Sequence, residues 1–181
     1  MAFRGYVQAR EHTMNVDQDF AEFVAARWTA LSRLAYLLTA SPTGGEDLLQ
    51  TSLEKAYVRW ARISAMEHAE AYVRRMIVNT YVSGRRRAWV REEPHDRLPD
   101  SATSGEGALI DRALLWPLVC ALPARQRAVI VLRYYEDMSE ADIATTLRCA
   151  PGTVKSQSSA AMKALRRALA AAGVGETVRE S

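Results

Sequence analysis

Lys155, Ser156, Ser159, Lys163 and Arg167 recur at intervals that place them on one face of an α-helix. Ammonium, guanidinium and hydroxyl groups displayed this way carry positive charge and donate hydrogen bonds, the chemistry that holds phosphates and reaches base edges. No acidic residue occurs between Pro151 and Ala172. A second basic group, Arg85, Arg86 and Arg87 with Tyr81 and Trp89 interleaved nearby, has the make-up of a phosphate-contacting patch. Each group also has a plainer reading: a solvated helix face for the first, and a basic helix end favoured by the dipole for the second.

Other chemistries find little to work with. His12, His68 and His95 are scattered, and no Ser/His/Asp or paired-carboxylate arrangement can be read from spacing. Cys120 and Cys149 lie far apart inside apolar helical patterns, without CxxC or Cys/His metal spacing, and read as small buried side chains. Gly44-Gly45 is too little for a phosphate loop. The expectation is a protein that is not an enzyme and takes no cofactor. Its 181 residues, 49% hydrophobic, can bury one core of ordinary size or two small ones. Without a run of about eighteen apolar residues or the residue order of a signal peptide, the default location is the cytoplasm.

The elements that must position these groups are helical. Strand signals are nearly absent, whereas apolar residues repeat at three and four positions. The first helical region covers 17 to 40, with Phe20, Phe23, Val24, Trp28, Leu31, Leu34, Ala35 and Leu38 inward. "SPTGG" interrupts it, and Thr43-Gly44-Gly45-Glu46 has the order of a capping box opening the next helix, whose inward face is Leu49, Leu53, Ala56, Tyr57 and Trp60. A third helix is expected over Ala69 to Arg91, with Val73, Met76, Ile77, Thr80 and Tyr81 inward and Arg74 and Arg75 outward.

Charge comes in blocks. Residues 61 to 91 carry seven bases against two acids, and 111 to 172 nine against five; 92 to 110 carry one base against five acids. The acidic stretch 92 to 107, "EEPHDRLPDSATSGEG", has no apolar period and reads as a linker. Fully extended it could reach ~50 Å, about fifteen base pairs of duplex. The chain thus divides into an extension at 1–16, a domain at 17–91, the linker at 92–107, a domain at 108–172 and a tail at 173–181: all-α, two small helical domains joined by a flexible linker.

In the second domain, helices are expected at 108 to 121 and 124 to 136, then a short one from Glu140 to Leu147 capped by Ser139. "CAPGTVKSQ" follows. Proline is tolerated at the first position of a helix, where its missing N–H would have had no partner, so Arg148 to Ala150 form a tight turn and a new helix starts at Pro151. Val154, Ser158, Ala161, Leu165 and Leu169 face inward. A short helix, a three-residue turn and a polar, basic second helix match helix-turn-helix geometry. Thr153, Lys155, Ser156, Gln157 and Ser159 then lie near the end that enters the major groove, with Lys163 further along the same helix.

These stretches resemble a known family over most of the chain. "LPARQRAVIVLRYYEDMSEADIATTLRCAPGTVKSQ" (122 to 157) looks like the fourth conserved region of bacterial RNA polymerase sigma factors, and "EDLLQTSLEKAYVRW" with "AYVRRMIVNTYVSGRRRAW" looks like their second. With nothing of domain size between or before them, the layout resembles the extracytoplasmic-function group. The resemblance implies a promoter-specificity subunit that joins polymerase core (β′ and β subunits), recognises −35 and −10 promoter DNA and starts transcription. An anti-sigma protein is a further partner the group admits.

It also implies residue roles. Asp47, Leu48 and Gln50 would dock on polymerase; the segment from Ala61 to His68 would hold a flipped non-template base. Arg75, Asn79, Ser83, Arg85, Arg86 and Arg87 would meet the −10 element, and the helix from Pro151 the −35 element. The chain departs from the pattern at several places: Gln157 and Ala160 stand where many relatives carry arginine, Ser83 where Asp or Asn is frequent, Thr51 where an acid is common, Ala150 where Ser usually caps, and Arg148 where glycine is frequent. Two rivals stay on the table. A helix-turn-helix regulator acting without polymerase core would use the first half for dimerisation or sensing, and a nucleic-acid-processing enzyme would need the carboxylate or metal cluster that spacing does not offer.

Overall fold

The computed structural model describes residues 2–84 and 115–172, with side chains for 15–84 and 115–172. Every regular element among them is a helix: α1 (Ala2–Thr39), α2 (Pro42–Tyr57), α3 (Trp60–Ile63), α4 (Ala69–Ser83), α5 (115–120), α6 (Ala124–Tyr134), α7 (Glu140–Leu147) and α8 (Pro151–Ala171). Arg85, Arg86, Arg87 and Trp89, the stretch 92–107 and the tail lie outside the described residues.

α1 ends where Ala40 takes a left-handed backbone (φ 60) and its N–H closes on Tyr36 O at 2.7 Å. The capping box expected at Thr43 is not used. Ser41 is the N-cap instead: it is extended (φ −135, ψ 132) and its hydroxyl accepts from Gly44 N at 3.0 Å. Pro42, which lacks an N–H and has a φ suited to a first turn, starts the helix earlier than the Thr-x-x-Glu order suggests. Gly45 lets α2 lie close on α1, since a Cβ there would stand 3.2 Å from Tyr36 N.

The first core is built from Leu31, Leu34, Leu37 and Leu38 of α1, Leu48 and Leu49 of α2, and Val73 and Ile77 of α4, all essentially inaccessible. Burial of each such side chain contributes at most about 1.5–3 kcal/mol. The amphipathic reading of α1 holds for Leu31, Leu34, Ala35 and Leu38 and fails at Trp28, which is 51% exposed; Tyr57 is likewise on the surface. Beside them Phe20 sits edge-on to Tyr57 and Trp60, with centroids 5.2 and 5.1 Å away. Trp60 Nε1 donates to Asp19 Oδ2 at 2.9 Å.

In the second half, α6 buries five consecutive residues, Ala128 to Leu132. A single-faced helix cannot do that. α6 is packed by α7 and α8 and also by α1 and α4 of the first half. The two halves therefore meet. Trp116 of α5 is fully buried between Tyr36 of α1 (centroids 6.3 Å, stacked) and Tyr135 (5.8 Å, edge-on). Arg127 of α6 reaches the end of α1, donating from Nη1 to Leu38 O at 3.1 Å and Thr39 O at 3.3 Å, and from Nη2 to Cys120 O. Arg74 of α4 pairs with Glu136 just beyond α6.

Candidate nucleic-acid interface

α7 and α8 form the expected helix-turn-helix. Ser139 caps α7 by accepting from Asp142 N at 3.1 Å. Arg148 closes the helix in the left-handed region (φ 50), the conformation for which glycine is the usual choice. Ala150 is the N-cap of α8 without a side-chain bond, and Pro151 takes its first position. Val154, Ala161 and Leu165 pin the helix inward. Lys155, Ser156, Ser159 and Lys163 are exposed, while Thr153 and Gln157 are half-buried. Five of the six expected reading-helix residues thus lie within the first three turns. Ser156 turns its hydroxyl back on Thr153 O at 2.9 Å, and Lys155 Nζ stands 4.0 Å from Glu140 Oε2. That carboxylate is held below the usual glutamate range by its hydrogen bond to Arg133, with the charges of Arg133 and Lys155 adding to the effect.

The −10 candidates divide. Arg75, Asn79 and Ser83 share the outer side of α4, and Arg75 lies over the Tyr72 ring at 5.3 Å. Asn79 is committed: its amide donates to Arg75 O at 2.9 Å and to Thr146 O of α7 at 3.0 Å. Ser83 donates to Asn79 O. Val78, one position from Asn79, is fully buried although it lies off the Val73–Ile77–Tyr81 stripe, because α4 is covered by α6 and α7 as well as by α1 and α2. The region from Ala61 to His68 is α3 followed by an exposed turn, and Ala61 and Ser64 border a hollow of about 450 Å³ with Asn15, Asp19 and Glu22 of α1.

On α2, Asp47 and Gln50 are exposed, but Leu48 is not. With no accessible surface, Leu48 belongs to the core and cannot touch a partner; its register on α2 faces α1. A groove of about 540 Å³ that periodicity did not reveal lies next to Gln50, lined by Phe20, Trp28, Leu49, Leu53 and Tyr57. Trp28 falls in the inward register of α1, so spacing alone assigns it to the core, yet it stands about half exposed at the wall of this groove beside α2. Among the described residues, no group of His, Cys, Asp and Glu could hold a metal, and no helix is long and apolar enough to cross a membrane.

Known proteins share this arrangement. The family described as sigma-70, region 4 matches residues 112–165. The RNA polymerase sigma-E factor of Streptomyces coelicolor is 40% identical over 157 residues, covering 84% of this chain and 87% of its own, and that of Streptomyces avermitilis is 39% identical over 152, covering 83% and 85%. The ECF RNA polymerase sigma factor SigL of Mycobacterium tuberculosis is 35% identical over 161 residues, covering 86% and 89%. In solved structures the fold is similar to the sigma factor RpoE of Bartonella quintana, crystallised with the anti-sigma factor NepR, with a TM-score of 0.63 and 24% identity over 84% of this chain and 97% of that one. A helix-turn-helix joined to a first half that also matches along its length excludes a regulator with an unrelated sensing domain, and the chain belongs to the extracytoplasmic-function group of RNA polymerase sigma factors, which are specificity subunits rather than catalysts.

Proposed function

We propose that α1–α4 dock on polymerase core and engage the −10 element, while α8 reads the −35 element. The exposed Lys155, Ser156, Ser159 and Lys163 on an acid-free helix carry the −35 assignment. Their N-terminal position in the second helix of the motif is where base edges and phosphates are reached. Gln157, half-buried beside them, contacts bases without adding charge, so this helix depends more on hydrogen bonds than on phosphate attraction.

Core docking falls to Asp47 and Gln50 together with the neighbouring apolar groove, which suits an amphipathic helix of a polymerase β′ or β subunit. Arg75, Asn79 and Ser83, with Arg85, Arg86 and Arg87 beyond them, make the track for the −10 strand, and the hollow beside Ala61 and Ser64 takes a flipped base. Melting without nucleotide hydrolysis needs binding energy that single strands receive and duplex does not; a base pocket and a cationic track supply it. Because both amide hydrogens of Asn79 are occupied, one of them by Thr146 O, the two domains separate before this residue meets DNA. The site of action is the cytoplasm, where polymerase works, and an anti-sigma protein is a further partner.

Run-off transcription with purified core polymerase tests the reading. The chain should bind core and direct initiation at a subset of genomic promoters. Lys155→Ala with Gln157→Ala should lower −35-dependent initiation by tenfold or more while core binding stays intact. Duplex binding without any core binding would instead support a free-standing regulator, and equal loss of core binding in the double variant would count against the assigned roles.

A further inference from the structure

We propose that the cleft formed where the two domains meet is a binding site for a small oligophosphate anion, and that this anion holds the domains together. The cleft measures about 470 Å³ and has walls from both halves of the chain. Lys55 and Arg59 enter it from α2 and the turn after it, and Arg75 from α4; Arg125 faces them from the first turn of α6 and Arg148 from the turn before α8. Among the described residues, no carboxylate lines it.

The acids of this region are spent elsewhere. Glu136 pairs with Arg74, Glu70 with Arg27 and Arg74, and Glu140 with Arg133. Lys55 has only the neutral Thr80 hydroxyl at 3.2 Å, and among the described residues none of the five cations is ion-paired. Closure therefore brings three positive charges on one domain towards two on the other, an arrangement of like charges that repels itself even where water screens it. A multivalent anion touching both walls removes the repulsion and adds charge-assisted, forked contacts of the kind guanidinium groups make with phosphate. Because it meets all five cations only when the domains are closed, it binds that state more tightly and shifts the population towards it.

The volume suits a compact ligand rather than a strand, being within the range of small-molecule pockets. Several clustered charges are needed to match five cations, which favours a tri- or tetraphosphate group over a single phosphate. Arg75, Asn79 and Ser83 lie in the same cleft, so an occupied site and an engaged −10 element exclude each other. Sequence spacing offers no hint of this site, because Arg125 and Arg148 lie outside the reading helix and meet the first domain only in the folded chain.

The test uses the full chain with donor and acceptor dyes on Ala21→Cys and Ala164→Cys, in a Cys149→Ser background, and reads energy transfer between the domains. Sodium tripolyphosphate should raise the closed population saturably with one site, and orthophosphate should need at least tenfold higher concentration. Sodium chloride at matched ionic strength should do neither. Arg125→Gln with Arg148→Gln should weaken the response at least tenfold. Arg125→Glu with Arg148→Glu should close the domains without any anion, because opposite charges then face each other, and should abolish the response. A response equal to that in chloride, or one unchanged in both double variants, would overturn the proposal. Neither polymerase nor promoter DNA enters the measurement, so its failure leaves the sigma-factor assignment untouched.

Discussion

Replacing Arg127 by methionine keeps the hydrophobic stem and removes the fork that ties α6 to the end of α1. One guanidinium nitrogen bridges Leu38 O and Thr39 O, 89 and 88 residues away in sequence, and the other meets Cys120 O within its own half. Hydrogen bonds from a charged donor contribute about 1.5–3 kcal/mol net, and a cation at a helix C-terminus about 0.3–1 kcal/mol, more when partly buried. The contributions overlap, and Arg127 Nε, buried without a hydrogen-bond acceptor, offsets part of them. A loss of about 2–3 kcal/mol is the reasonable sum. In urea, with a slope of about 2 kcal/mol/M, the midpoint should fall by roughly 1–1.5 M. Arg127→Lys keeps the charge near the helix end but not the fork, and should recover less than half of the loss. Dye-labelled Arg127→Met should also spend more time open than the parent chain. If the urea midpoint moves by less than about 0.2 M and the closed population is unchanged, Arg127 is not a latch and the contact between the halves is energetically empty.

Further outcomes follow from single contacts. Ser41→Ala removes the hydroxyl that accepts from Gly44 N, and should cost about 0.5–2 kcal/mol in thermal or urea unfolding, whereas Thr43→Ala should cost less, since Thr43 is not the cap. Trp28→Ala, at an exposed position, should leave stability within about 0.5 kcal/mol but weaken polymerase core binding at least tenfold; unchanged core affinity would remove the groove from the docking surface. Glu140 has a folded pKa lowered chiefly by its bond to Arg133, so its contribution is present above the ordinary glutamate range and disappears as pH falls through the lowered value. Glu140→Gln should therefore flatten the acid limb of the stability-versus-pH curve, and an unaltered limb would show the pair to be idle.

Much of the fold is written in periodicity. The stripes Leu31–Leu34–Leu38, Val73–Ile77–Tyr81 and Val154–Ala161–Leu165 are core in the structure because each lies on a helix with one buried face, the case that a 3.6-residue period describes. The turn from Arg148 to Ala150 and the start at Pro151 were equally legible, since proline chemistry at a helix start is local. The reading failed where a residue's surroundings come from distant chain. Val78 and the run Ala128 to Leu132 lie on helices packed from both halves, Leu48 lies in the core rather than on the surface expected to dock, and Trp28 lines an open groove beside α2.

Local chemistry thus determined the helices, the helix-turn-helix and the family, because caps, turns and apolar stripes act over a few residues. Tertiary packing alone decided that Arg127 closes α1 from the opposite half, that Asn79 spends its amide on Thr146, and that five cations from both halves share one cleft. The first two contacts join residues that lie more than sixty positions apart, and no short-range pattern encodes which distant surface a side chain will meet.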